Sequence, residues 1–137
     1  MKTPDASHPI TITPAAHRVR VTHGGRVIAD TRRALALKEA SYPVVHYIPR
    51  DDVDMNALLR TDHTTHCPYK GDAAYYSIAI DGCASANAIW TYEAPFAAVS
   101  EIAGHLAFYP QRVDTIEVLP LTDGVASHVL NGQPPAT

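Results

Sequence analysis

Between Ala73 and Tyr92 the chain reads as two runs of apolar and small residues joined by Asp81-Gly82, and that dipeptide constrains the fold more than any other feature. Asp-Gly between alternating residues is a strong signal for a type I′ turn, whose twist matches that of antiparallel strands. A two-residue loop also sets the pairing: Ile80 opposite Cys83, Ile78 opposite Ser85, Tyr75 opposite Ala88 and Ala73 opposite Trp90. One face then carries Tyr75, Trp90 and Tyr92; the other carries Tyr76, Ile78, Ile80, Cys83 and Ile89. Small residues (Ala73, Ala79, Ala84, Ala86 and Ala88) surround Tyr75 and Trp90 and leave space beside two amphipathic rings, as ligand pockets do. The same residues equally suit a packed core.

The rest of the chain repeats this theme. Val19 and Val21, then Gly24-Gly25, then Val27 and Ile28 predict a second hairpin, and Leu35 and Leu37 a further strand. Pro43 to Pro49 is β-branched and aromatic and reads as a short strand, after which Asp51 or Asp52 caps a helical turn running to Leu59. Pro95 opens a helix ending at Gly104, with Phe96, Val99 and Ile102 on one face. Leu106 to Tyr109 and Val113 to Leu119 complete a mainly β domain. Residues 1–16 read as an N-terminal arm, 17–120 as a single domain and 121–137 as a tail ending in Gly132-Gln133-Pro134-Pro135.

A chain of 137 residues has room for one ordinary core. Hydrophobic residues at 46% and charged residues at 18% suit a soluble protein, and no apolar run is long enough for a membrane span. Without a signal-like N-terminus, the default location is the cytoplasm. A net charge of -3 and no basic cluster argue against nucleic acid as a partner. Two cysteines, Cys67 and Cys83, are too few for a disulfide framework, and Cys83 reads as a small buried hydrophobe. Of eight histidines, His8, His17, His23, His105 and His128 are scattered and read as exposed or locally hydrogen-bonded.

The run Thr64 to Tyr76 concentrates chemistry: a thiol at Cys67, an ammonium at Lys70, phenols at Tyr75 and Tyr76. A neighbouring ammonium stabilises a thiolate, and Pro68 with Gly71 would let Lys70 fold back toward Cys67. Cys67 and Lys70 are therefore the candidate catalytic pair; Tyr47, Tyr75, Trp90 and Tyr92 are the candidate ligand-binding residues, with Tyr75 or Tyr92 able to donate to a developing oxyanion. The bland alternative is a structural thiol and a solvated lysine. His63 and His66 beside Cys67 invite a metal, but a structural site needs four ligands, usually with cysteine pairs, and no metal is assigned. His46 is a further candidate base, or an edge-strand histidine. These motifs name no cofactor.

The ordered motifs Tyr42-Pro43, Tyr47-Ile48-Pro49-Arg50-Asp51-Asp52-Val53, Cys67-Pro68-Tyr69-Lys70-Gly71-Asp72-Ala73, Ala88-Ile89-Trp90-Thr91-Tyr92 and Ile102 to Tyr109 resemble those of the domain-of-unknown-function family 427. The resemblance implies a β-tent fold, an architecture shared with methionine sulfoxide reductase B domains. Those relatives hold zinc between Cys-x-x-Cys knuckles, which this chain lacks, so neither the zinc nor the activity carries over. The family's nucleotidyltransferase-like label implies carboxylates on Mg²⁺ and a phosphate cradle. Here Asp51, Asp52 and Asp54 read as caps and solvated charges, and Gly71 stands alone. Two functions compete ahead of that transferase: a protein binding an unidentified small molecule in an aromatic pocket with a reactive cysteine, and a non-catalytic module forming a homodimer through an exposed edge.

Overall fold

The computed structural model describes residues 1–121, so the C-terminal tail beyond Leu121, including His128 and the Gly-Gln-Pro-Pro ending, lies outside the described residues. Ten strands run β1 (Ile10–Pro14), β2 (His17–His23), β3 (Arg26–Thr31), β4 (Leu35–Glu39), β5 (Val45–Pro49), β6 (Leu58–Cys67), β7 (Gly71–Ile78), β8 (Ser85–Thr91), β9 (His105–Phe108) and β10 (Thr115–Pro120). They form two antiparallel sheets, one ordered β1-β4-β5-β9-β8-β7-β6 and one ordered β10-β2-β3. The protein is mainly β, as its turn signals predict.

The three-stranded sheet covers one face of the larger sheet. Val19, Val21 and Ile28 meet Ile48, Tyr76, Ile78, Ile89, Leu106 and Phe108 in one cluster. Each fully buried Ile or Val there contributes about 1.5–3 kcal/mol relative to exposure. The Gly24-Gly25 turn has φ of 59° and 74°, the left-handed pair a two-residue hairpin needs. Gly24 also lies against Cys83: a Cβ there would sit 2.8 Å from the Cys83 Cβ. Both cysteines are free and half-buried.

Several elements differ from the sequence reading. The Asp81-Gly82 turn forms, with the Cys83 N–H donating to the Ile80 carbonyl at 2.9 Å, but only Gly82 has positive φ, so it is not type I′. Ile78 does face Ser85; beyond it the register shifts by two residues, placing Tyr75 opposite Trp90 and Tyr76 opposite Ile89. The extra residues form a bulge around Asn87, whose φ of 47° is left-handed. Its N–H donates to Ser77 Oγ at 2.9 Å and its Oδ1 accepts from Thr61 at 2.7 Å. The segment after Pro95 is a kinked 3-10 stretch, Ala97–Ile102, not a full helix, and the turns Arg50–Asp52 and Met55–Ala57 have no side-chain cap. Residues 10–14, read as part of an arm, pair with β4 as an edge strand, and β6 forms the opposite edge.

Candidate functional site

The second face of the large sheet carries the aromatic residues. Period-2 alternation puts Trp90 of β8 and Tyr92, just past its end, on that face, with Ala73 and Tyr75 on β7 and Tyr47 on β5; all five belong to one cluster with Ala107, Val99 and Ile102. Ala107 stands opposite Trp90 and is too small to block its ring. The indole therefore reaches Tyr47, its Nε1 donating to the phenol oxygen at 3.2 Å with the rings edge-on at 6.3 Å. On the other side Trp90 lies 4.4 Å from Tyr109, and Tyr109 runs nearly parallel to Tyr75.

Hydrogen bonds lock these rings. Tyr75 Oη lies 3.1 Å from Tyr109 Oη and 3.0 Å from Thr65 Oγ1, while His63 packs edge-on against Tyr75. Arg112 lies over Tyr109 at 4.6 Å, a cation held in turn by the Asn87 carbonyl at 2.8 Å. Burial pushes the Tyr109 phenol up to about 12, helped by its bond to Tyr75. Burial likewise raises Tyr47 and Tyr92 above the ordinary phenol value, with the charge of Glu39 adding to both. These hydroxyls stay protonated through the neutral range and remain donors. The Tyr92 carbonyl accepts from the Gly104 N–H at 3.1 Å, and its hydroxyl has no hydrogen-bond partner among the described residues.

Beside the rings lies a cleft of about 450 Å³ whose walls include Tyr47, Tyr75, Trp90, Tyr92, Tyr109 and Lys70, with Tyr42, Pro43 and Val44 at its rim. All four aromatic candidates from the sequence converge there. Lys70 also reaches it, and its ammonium donates to Glu39 in a largely buried ion pair. Glu39 Oε2 takes a second partner, His8 Nε2, at 2.7 Å. Burial opposes the Glu39 charge, but the hydrogen bonds from Lys70 and His8 outweigh it and hold the carboxyl below its ordinary value. The pair leaves the cleft close to neutral.

Residues 11–119 match the model of a family described as a domain of unknown function, DUF427. The chain belongs to that family. No curated protein matches it. The DUF427 span begins inside β1 and ends inside β10, so it takes in both sheets and the whole cleft.

Within this DUF427 domain Cys67 ends β6 and packs against the aromatic cluster, while the cleft wall itself is built from its neighbours. The Lys70–Gly71 turn is tied down by Phe96, whose N–H donates to the Lys70 carbonyl at 3.0 Å. Gly71, with φ of 111°, is needed for that turn. His66 pairs with Asp72 at 2.6 Å whereas His63 leans on Tyr75, so the two histidines near Cys67 have separate engagements. Among the described residues no three His, Cys, Asp or Glu side chains gather as metal ligands, and no helix is long and apolar enough to cross a membrane. Asp52 accepts from Thr31 and Arg33, and Asp54 from Arg26. Sequence reasoning missed Glu39, Tyr109 and Thr65. Tyr109 follows directly on β9, so alternation through Leu106 to Tyr109 could have placed it beside Trp90. Nothing local marks Glu39 as the partner of a lysine 31 residues away.

Proposed function

We propose that this DUF427 protein binds a small, uncharged molecule carrying a ring and a hydroxyl or carbonyl group in the tyrosine cleft. The observation that carries this reading is the division of labour among the phenols. Tyr47 is fixed by the bond from Trp90, and Tyr75 and Tyr109 by their bond to each other, while Tyr92 keeps an unused hydroxyl donor on the same wall. Rings held rigid before binding lose little freedom on it. The neutral Lys70–Glu39 pair favours an uncharged ligand, since a charged one would be desolvated without compensation. In this reading Tyr47, Tyr75, Trp90 and Tyr92 hold the ligand. Lys70 supplies positive charge from the cleft wall, and Cys67, which packs against the aromatic cluster, acts as a thiol contact or nucleophile.

Trp90 is the single tryptophan, so its emission reports on the cleft. A library of ring-bearing alcohols and ketones should contain members that shift the emission and raise the melting temperature. Tyr92→Phe should weaken them about fivefold to tenfold, the effect of one lost hydrogen bond. If no member moves either signal, the binding reading fails. For the cysteine, alkylation by iodoacetamide at neutral pH should be faster than for free cysteine and slow in Lys70→Ala; equal rates would remove the reactive-thiol part.

One feature favours the alternative of a homodimer: β6 is an uncovered ten-residue edge with Leu59 56% exposed. Its bulge between Arg60 and Thr64 and its charged residues work against edge pairing. Light scattering at high concentration decides between a dimer and a monomer.

A further inference from the structure

A second space lies between the two sheets, about 300 Å³, lined by Val19, Val21, His46, Ile48, Phe108 and Ile116. Val19, Val21 and Ile48 are 1%, 0% and 1% exposed, so this crevice reaches core side chains. Packed interiors leave few voids larger than a water molecule, and an apolar space of this size against the core is a feature of the architecture. It shares four wall residues, Val44, Val45, Trp90 and Pro110, with the tyrosine cleft. The sheet itself makes the connection. β5 pairs with β9 only at Ile48–Leu106 and Pro49–His105, while its other half, back to Val45, stays with β4. The backbone ladder thus parts beside Tyr47 and Trp90, leaving those two side chains to span the gap.

We propose that crevice and cleft form one site for an amphipathic small molecule, with a polar ring or carbonyl head among the tyrosines and an aliphatic tail between the sheets. The inference rests on the reading of the cleft given above and adds the ligand class. Nine of the ten crevice residues are apolar, so a tail gains by leaving water and loses no polar contact. The exception, His46, is held below the ordinary imidazole value chiefly by burial and secondarily by its proximity to His17, which suits an uncharged tail.

The test uses methyl, butyl and octyl 4-hydroxybenzoate against the full chain, with affinity read from Trp90 emission. Affinity should rise up to about fourfold per added methylene until the crevice is full, then level off. Ile116→Phe, which fills the crevice, should bring the octyl ester to within about twofold of the methyl ester. Calorimetry provides a second measurement should that variant not fold: the heat-capacity change of binding should grow more negative with chain length. Affinity and heat capacity both independent of chain length, with binding still sensitive to Tyr92→Phe, would overturn the amphipathic site and leave the cleft standing. A chain-length gain insensitive to Tyr92→Phe would keep the crevice and sink the cleft as head site. Failure of every ester to bind would overturn both.

Discussion

Glu39 shows how one side chain can decide the character of a site. Its two oxygens hold Lys70 and His8, so the cleft has a charged pair in its wall without a net charge. Glu39→Gln leaves the Lys70 ammonium, in a residue only 8% exposed, without its counter-charge. Stability should fall by about 1–3 kcal/mol at neutral pH, measured by urea denaturation. Because the folded carboxyl lies below its ordinary value of 4.5, its contribution is full above that value and is lost as pH falls through the folded one. The difference between wild type and Glu39→Gln should therefore shrink as the solution is acidified below about pH 4. The tyrosines act at the other end of the scale. Tyr109 is raised to about 12 from an ordinary 10, so the folded form retains its proton where the unfolded chain has lost it. Stability is intact below pH 10 and declines as pH rises through the folded value, an alkaline limb that Tyr109→Phe should soften. Absorbance titration of the phenolates, run beside circular dichroism, checks the coincidence.

At the scale of elements, the position of Trp90 depends on a bulge. Asn87 is held left-handed by bonds to Ser77, Thr61 and Arg112, and the two residues it adds to β8 bring Trp90 opposite Tyr75 in place of Ala73. A β-branched residue is costly in that conformation, so Asn87→Val should destabilise by about 1–3 kcal/mol and shift Trp90 emission, whereas Asn87→Gly should retain the emission spectrum. The same bulge explains why hairpin geometry predicts the right face and the wrong partner: a shift of two preserves alternation, so Tyr75 and Trp90 share a face under either register. Hairpins with glycine turns and apolar alternation were legible because both signals are local. β6 was not, because a strand exposed along most of its length, Thr61-Asp62-His63-Thr64-Thr65-His66, carries no apolar alternation. β1 was hidden for a related reason: Ile10 and Ile12 alternate, but over only five residues ending at Pro14. Tyr75, Trp90 and Tyr92 were readable from hairpin geometry, whereas Tyr109 lies beyond β9 and outside that hairpin. Glu39 was not, since its pairing with Lys70 exists only once β4 and the turn after β6 are brought together.

For the molecule as a whole, the large sheet has two different jobs on its two faces. One face is sealed by the β10-β2-β3 sheet and supplies the core; the other gathers aromatic rings around a cleft. The N-terminal segment fastens that second side. The Lys2 N–H donates to the Pro68 carbonyl at 2.7 Å, the Lys2 ammonium lies 5.9 Å from the Tyr69 ring, and His8 stacks on the same ring at 3.9 Å. Through Glu39, His8 is also linked to Lys70, so the strap, the turn and the cleft wall share one network. Deleting residues 1–8 removes the stacking and one of the two Glu39 partners but leaves β1 paired with β4. The expected loss is two hydrogen bonds, one ring stack and one cation–ring contact, partly offset by the entropy of an exposed segment that no longer needs ordering, about 1–2 kcal/mol together. For a domain of this size that lowers the melting temperature by about 3–10 °C. If the strap acts through Glu39, the deletion and Glu39→Gln should combine to less than the sum of their separate effects, because each removes the same His8–Glu39 contact. Thermal melts of the two single variants and the double variant measure this directly. Full additivity would mean that the strap stabilises the fold through Pro68 and Tyr69 and is uncoupled from the cleft.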